Sequence, residues 1–248
     1  MARRSPGRRE VLTGLAAAFA LPAAAASPKP VYLTIDTGSM VPAEEMAATL
    51  SRHGVKVTFF LANELTARGD RALEDGWAPF WKARAAEGHA FGSHTWRHWY
   101  FRGEQDGKVR YVAWGGKEKE ELDRDGVCRE IGRVDERFRT IAGRPLDRVW
   151  RAPGGKTTPQ TLAWADSCGW KHVGWSDAGF LGDELPSDKY PNNKLLERAL
   201  KRVRPGDVMV MHLGTRDRKE PFVGIFEPLL DGLLKKGLRF ATFAGTGA

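Results

Sequence analysis

Two histidines four positions apart are the clearest sign of chemistry in this sequence. His94 and His98 follow a short apolar run, and on a helical turn residues at i and i+4 project from the same face. Neutral imidazole is a good ligand for Zn²⁺ and the neighbouring first-row divalent metals. The pair therefore predicts a divalent metal site, although an H-x-x-x-H pattern taken alone also occurs by chance.

Other acids and bases follow the ends of further apolar runs. Asp36, Arg151, Asp177 and His212 each come directly or shortly after a stretch that reads as a buried strand. In a barrel of parallel strands, the carboxyl ends of the strands converge on one mouth, where active sites are built. We therefore expect these residues to gather with His94 at one end of the fold, which favours an enzyme over a purely structural protein.

The elements that must position these residues alternate regularly between strand and helix. The predicted strands cover residues 31–35, 57–61, 89–92, 148–150, 171–175, 207–211 and 238–243. The predicted helices cover residues 42–53, 77–87, 117–142, 159–168, 192–203 and 222–236. This order predicts an α/β fold with about seven parallel strands in a closed or nearly closed barrel. Residues 99–116 interrupt the order and indicate a loop or small hairpin inserted after the histidine pair.

The first 26 residues have the character of an export signal. Arg8 and Arg9 precede an uncharged, alanine-rich run that ends in small residues near Ala26. This is typical of a twin-arginine-type signal peptide, and the run is too short for a permanent membrane span. We expect cleavage near Ala26, export to a periplasm, no stable membrane insertion, and one mature catalytic domain over residues 27–248.

The overall charge and its distribution indicate which kinds of binding partner to expect. The formal net charge is +8, and the four arginines and one glutamate of the first 26 residues contribute +3 of it. Elsewhere lysine and arginine are interleaved with acidic residues, which argues against nucleic-acid binding. The remaining charge is compatible either with an anionic partner in the cell envelope or with solubility alone. No pattern indicates an oligomeric state.

The sequence contains two cysteines, Cys128 and Cys168. An oxidising compartment permits a disulfide between them, but export in the folded state implies that folding does not need one. We therefore expect two buried thiols and keep the disulfide as the alternative.

Five short motifs, in this order, resemble those of the polysaccharide deacetylase family, which includes chitin, chito-oligosaccharide and peptidoglycan deacetylases. The motifs are TIDTG at 34–38, HTWRH at 94–98, RAPGG at 151–155, WSD at 175–177 and MH at 211–212. The resemblance covers nearly the whole mature chain. It implies a distorted (β/α) barrel, a glycan substrate, and hydrolysis of N-acetyl groups from glycans that contain N-acetylglucosamine.

The resemblance also implies a metal and a base. His94 and His98 would hold a divalent metal, zinc in the first place and cobalt or manganese as alternatives, which would activate a water molecule. Asp36 would be the general base that takes a proton from this water. Arg151 would pair with Asp36 and keep it ionised and oriented.

The remaining roles implied by the resemblance concern the leaving group and the oxyanion. His212 would be the general acid that protonates the leaving amine, and Asp177 would orient His212. The backbone N–H of Gly154, in a loop bent by Pro153, would help to stabilise the oxyanion.

One departure from the family pattern affects the metal. The family usually has Asp, the third protein ligand, where this chain has Thr37. A neutral hydroxyl is a much poorer ligand than a carboxylate. Thr37 or water could complete a weaker site, or Asp177 or Asp183 could replace the missing carboxylate. The alternative function is a member of the family that binds glycan without hydrolysing it, and a third is hydrolysis of small non-sugar amides on the same barrel.

Overall fold

A computed structural model describes residues 30–245, so the predicted signal peptide of residues 1–26 lies outside the described residues. The strands are β1 Tyr32–Asp36, β2 Thr58–Leu61, β3 Ala90–Ser93, β4 Tyr100–Gln105, β5 Lys108–Val112, β6 Lys119–Leu122, β7 Val149–Trp150, β8 Lys171–His172 and β9 Val208–His212. The α-helices are α1 Ala43–Arg52, α2 Ala78–Ala86, α3 Arg124–Ala142, α4 Pro159–Ser167, α5 Asn192–Arg202 and α6 Phe226–Lys235. Within residues 30–245, no helix combines the length and apolarity that crossing a bilayer requires.

Six of the strands form one parallel sheet in the spatial order β8-β7-β3-β2-β1-β9. Its central strands are buried on both faces, as expected where crossover helices cover a parallel sheet. The chain after β8 bridges the two edges of the sheet. Val173 donates its N–H to Trp150 O in β7 at 2.8 Å, and Ser176 donates its N–H to Val208 O in β9 at 3.1 Å. The predicted distorted barrel is confirmed, and this irregular segment accounts for its distortion.

The seventh predicted strand is not formed. Within residues 238–243, only Phe240 makes a ladder contact, a single parallel bridge to Val31 at the start of β1. Arg239 O accepts the Val31 N–H at 2.8 Å, and Ala241 donates its N–H to Val31 O at 2.9 Å. The pairing stops there because β2 occupies this side of β1 from Thr34 onwards.

The inserted segment is larger than predicted. Strands β4, β5 and β6 form a separate antiparallel sheet, so residues 119–122 are a strand rather than the start of the helix predicted for 117–142. The helix begins only at Arg124, because the Asp123 carboxylate accepts the Gly126 N–H at 2.8 Å and caps it. It ends at Gly143, whose φ of 70° suits the left-handed cap that glycine adopts easily.

The expectation of two buried thiols is wrong. Cys128 and Cys168 form a disulfide, which joins α3 to the end of α4. These two helices pack against each other and place the two Cα atoms 6.2 Å apart, within the range that a disulfide spans. Residues 40 apart in sequence are neighbours only through this packing, which the spacing alone does not reveal.

Candidate active site

The carboxyl ends of four parallel strands bring the predicted polar residues together. Asp36 is the last residue of β1, and its register partner in β9 is His212, also the last residue of its strand. His94 and Arg151 directly follow β3 and β7, whose last residues Ser93 and Trp150 are likewise paired. The convergence expected from the strand pattern is therefore present in the structure.

Asp36 forms a buried ion pair with Arg151. Nη1 of Arg151 donates to Oδ1 of Asp36 at 2.8 Å, and the two side chains are 0% and 3% exposed. The guanidinium also donates to Val173 O and Gly174 O, both at 3.1 Å, which fixes its plane. Burial is the largest single influence and would raise the pKa of Asp36, but the combined effect of Arg151, His94 and His212, with Arg151 foremost, holds this pKa below its ordinary value. Asp36 is therefore ionised at neutral pH.

The histidine pair is not on a helix, contrary to the prediction. Residues 94–98 form a bent loop in which Thr95 and His98 adopt the left-handed region, with φ of 64° and 58°. This loop nevertheless brings the rings of His94 and His98 together, with centroids 4.8 Å apart. The two imidazoles thus share one site, although a strained loop rather than helical periodicity places them there.

The hydrogen bonds of His94 determine which ring nitrogen is available. Nδ1 lies 2.9 Å from Arg151 O, a carbonyl that can only accept, so Nδ1 carries the proton. Burial lowers the pKa of His94 to about 4, and the charge of Asp36 offsets only part of this effect. The lone pair on Nε2 therefore faces Oδ2 of Asp36 at 3.4 Å.

This arrangement suits a cation, because two electron-pair donors face each other. Backbone fixation of Nδ1 is also the usual support for a histidine that binds metal through Nε2. The donor set of His94 and His98 therefore fits a divalent metal in its chemistry. Within the described part of the chain, however, no three His, Cys, Asp or Glu side chains already converge on one point.

Thr37, the third predicted metal ligand, uses its hydroxyl in a hydrogen bond with the backbone. It is 1% exposed, and its hydroxyl oxygen accepts the backbone N–H of Ala62 at 3.1 Å. Its own N–H donates to Phe60 O at 3.0 Å. Thr37 therefore ties the end of β1 to the end of β2, and its hydroxyl is engaged with the backbone.

His212 is oriented by Asp183 and not by Asp177. Oδ2 of Asp183 lies 3.1 Å from Nδ1 of His212 and accepts the backbone N–H of His212 at 2.7 Å. Asp177 is exposed in a short turn, Asp177–Gly179, so the predicted contact with His212 is wrong. Burial alone would lower the pKa of His212, but the carboxylates of Asp183, Asp36 and Glu184 together, with Asp183 foremost, outweigh burial and raise this pKa to about 10. His212 is therefore protonated at neutral pH.

Glu64 is a nearby acid that the sequence reasoning missed. Its Oε2 lies 3.6 Å from Nδ1 of His98. It follows the end of β2 by three residues, much as other candidate residues follow the ends of β1, β3 and β7. The strand-end rule applied to β2 would have found it, whereas nothing local in the sequence distinguishes Asp183 from Asp177 as the partner of His212.

An open cleft of about 560 Å³ adjoins the site at His98 and His212. Its lining includes Glu64, His98, Tyr100, Trp114 and His212. This volume is within the range of about 300–1,000 Å³ typical of ligand sites. The inserted antiparallel sheet supplies the aromatic part of the wall.

Gly154 lies beside this aromatic wall. It is exposed in the turn Pro153–Gly155 with φ of 59°, and a Cβ placed there would come within 2.8 Å of the Tyr100 ring. Glycine is therefore required both by the backbone conformation and by the aromatic ring packed against it.

The comparisons with known proteins agree with this architecture. Residues 23–173 match the family model described as polysaccharide deacetylase. The chain is 25% identical over 213 residues to the peptidoglycan-N-acetylglucosamine deacetylase of Bacillus cereus, an alignment that covers 86% of this chain and 66% of the relative. The chain spans just under two thirds of the length of the curated relatives it matches.

Solved structures share the fold at low sequence identity. A wild-type CE4 family pseudoenzyme from Bacillus anthracis superposes with a TM-score of 0.65 at 17% identity, covering 87% of this chain and 64% of that chain. A family 4 acetyl xylan esterase from Clostridium thermocellum, solved in complex with a cobalt ion, gives a TM-score of 0.65 at 20% identity, covering 86% and 87%. Because the family model spans more than half of the sequence, the chain belongs to the polysaccharide deacetylase family.

Proposed function

We propose that this protein is a metal-dependent deacetylase that removes N-acetyl groups from glycans containing N-acetylglucosamine. The observation that carries the proposal is the register pairing of Asp36 with His212 across two adjacent parallel strands. The pairing sets an ionised carboxylate beside a protonated imidazole, and the imidazole lines the cleft. Amide hydrolysis needs a base for the attacking water and an acid for the departing amine.

Asp36 is the proposed general base. Arg151 occupies Oδ1, which leaves Oδ2, on the side of His94, to accept a proton from the attacking water. His94 and His98 would hold a divalent metal, which when bound polarises the acetyl carbonyl and acidifies water. Zinc is the first candidate, and the cobalt ion in the family 4 acetyl xylan esterase supports testing Co²⁺ as well.

His212 is the proposed general acid. Asp183 engages Nδ1, so Nε2 is the nitrogen available to donate a proton to the leaving amine. The side chain is 21% exposed and lines the cleft, so it is accessible to a substrate. Proton transfer to the amine, as the bond between the acyl carbon and nitrogen breaks, yields acetate and a free amino sugar.

The cleft wall supports a glycan rather than a small amide. Trp114 is 76% exposed at the rim, and Tyr100 lines the cleft beside it. Flat aromatic surfaces suit the C–H faces of sugar rings. A glycan of the cell envelope, peptidoglycan or chito-oligosaccharide, also fits the export that the first 26 residues predict.

The test is acetate release by the mature protein, residues 27–248. N-acetylglucosamine oligomers and peptidoglycan fragments would be incubated with Zn²⁺, Co²⁺ or Mn²⁺ supplied, alongside a metal-depleted sample. We expect turnover only with metal, and loss of both turnover and bound metal in His94→Ala. Absence of acetate release from every glycan with every metal would refute the proposal.

A glycan-binding protein without catalysis is the second candidate. Its support is the engagement of the Thr37 hydroxyl with Ala62, together with structural similarity to a pseudoenzyme. This candidate predicts glycan binding that a chelator does not change, with no release of acetate. The same purified protein, tested by calorimetry with and without chelator, separates it from the deacetylase.

A further inference from the structure

Glu64 stands at the wall of the cleft beside the histidine pair. Its side chain is 18% exposed, and Oε2 lies 3.6 Å from Nδ1 of His98. That separation is longer than a hydrogen bond, so the contact does not orient the imidazole as a bonded partner would. The Glu64 carboxylate lies next to the proposed metal-binding imidazole of His98 without a hydrogen bond to it. A role other than orienting this ring must therefore be considered.

The backbone around Glu64 is attached to the histidine loop. Asn63, the preceding residue, donates its N–H to Trp96 O at 3.0 Å, between the two histidines. On the other side, Glu64 O accepts the N–H of Ala72 at 3.0 Å. The main chain of Glu64 is therefore fixed relative to the loop that carries His94 and His98.

The distance between the Glu64 carboxylate and the His98 ring is compatible with two ligands of one metal ion. Ligand atoms that each lie about 2.0–2.2 Å from one metal ion are at most about 4.4 Å apart. Oε2 of Glu64 and Nδ1 of His98 satisfy this limit at 3.6 Å. The described side chains do not converge on one point, so a third ligand from Glu64 would require its carboxylate to turn toward the histidine pair.

We propose that Glu64 supplies the third protein ligand of the metal, together with His94 and His98. Thr37 is the less suitable source, since its hydroxyl oxygen accepts the N–H of Ala62 and carries no charge. A carboxylate oxygen is a stronger ligand for a divalent cation than a neutral hydroxyl. This inference rests on the proposed function, because it assumes a metal at the histidine pair.

The test is titration of the metal-free mature protein with Co²⁺, followed by visible absorption and by calorimetry. Glu64→Gln should weaken Co²⁺ binding by about 100-fold or more, above the roughly 10–100-fold typical of losing a residue that only orients a ligand. It should also shift the visible band, because a ligand is exchanged. Glu184→Gln is the matched control: Glu184 lines the same cleft, is exposed, and should leave affinity within about twofold.

A second variant separates coordination from loss of structure. Glu64→His replaces an oxygen ligand by a nitrogen ligand, so it should retain Co²⁺ binding with a displaced absorption band. Circular dichroism on each variant establishes that it is folded. If folded Glu64→Gln binds Co²⁺ as tightly as the wild type while His94→Ala does not bind, Glu64 is not a ligand and the proposed function stands. A wild-type protein that binds no Co²⁺ overturns both proposals.

Discussion

A single carboxylate oxygen of Asp183 holds His212 at two points. Oδ2 accepts the backbone N–H of His212 at 2.7 Å and lies 3.1 Å from its Nδ1. The side chain of Asp183 is 3% exposed, so water screens this interaction little. Asp183 therefore fixes both the orientation of the imidazole and its protonation, which is the basis of the first prediction.

Replacing Asp183 by Asn should move the alkaline limit of activity to lower pH. With Asp183 present, the pKa of His212 is raised to about 10, and an acid that must be protonated works up to that pH. Without the carboxylate charge, the pKa of His212 falls, so the protonated fraction at pH 8 falls with it. We expect kcat/KM at pH 8 to drop about 10–100-fold, measured as the pH profile of acetate release.

Asp177→Asn is the matched control for this change. Asp177 is six residues away in sequence and exposed, and it loses the same charge. Its pH profile should overlay that of the wild type. If the alkaline limit of the pH profile shifts in Asp177→Asn and stays unchanged in Asp183→Asn, Asp177 and not Asp183 is the residue that orients His212.

The buried pair of Asp36 and Arg151 predicts a large loss of stability when one partner is removed. Arg151→Met leaves an ionised carboxylate in a site where both side chains are at most 3% exposed. Breaking a buried pair in this way typically costs about 3–5 kcal/mol. The free energy of unfolding, measured by urea denaturation of residues 27–248, should fall by that amount.

The double variant Asp36→Asn/Arg151→Met tests the cause of this loss. Removing both charges removes the unpaired carboxylate, so part of the lost stability should return. If the double variant loses as much stability as Asp36→Asn and Arg151→Met lose together, the unpaired charge of Asp36 is not the cause of the destabilisation in Arg151→Met.

The disulfide predicts a contribution to stability that is independent of catalysis. The bond closes a loop between residues 40 positions apart, and restriction of the unfolded chain is worth about 2–4 kcal/mol for such a loop. Cys128→Ser/Cys168→Ser should lower the free energy of unfolding by that amount without changing kcat/KM at 25 °C. A variant of unchanged stability would contradict this prediction, and a free-thiol assay of the wild type under denaturing conditions checks that the bond is present.

Strand-end reasoning predicted the core of the site because parallel strands turn sequence order into spatial convergence. Asp36, His94, Arg151 and His212 each stand at or directly after a strand end, and the structure brings them together. Six of the seven predicted strands are present and form the parallel sheet. The fold therefore follows from the alternation of apolar runs and helical patterns, which is a local property of the sequence.

What escaped prediction depends on contacts between distant segments. Asp183 reaches His212 only because the irregular chain after β8 runs along β9, and no periodicity describes that path. The disulfide depends in the same way on the packing of α3 against α4. The pairing of His94 and His98 was argued from i, i+4 spacing on a helical turn, whereas a loop with left-handed residues at Thr95 and His98 brings the rings together.

Trp114 predicts a change in substrate binding without a change in stability. Its side chain is 76% exposed at the rim of the cleft, so removing it disturbs no core. If it stacks on a sugar ring, Trp114→Ala should raise KM for an N-acetylglucosamine oligomer about fivefold to tenfold, equivalent to about 1–1.4 kcal/mol, with kcat nearly unchanged.

Steady-state kinetics on oligomers of increasing length test this stacking directly. Trp114→Phe keeps an aromatic face and should recover most of the affinity. The effect of Trp114→Ala should also disappear for a substrate too short to reach the rim. An equal KM for Trp114→Ala and the wild type on every oligomer would mean that Trp114 does not stack on a sugar ring and that the inserted segment only lines the cleft. Tyr100, packed against Gly154 deeper in the cleft, would then be the remaining aromatic candidate.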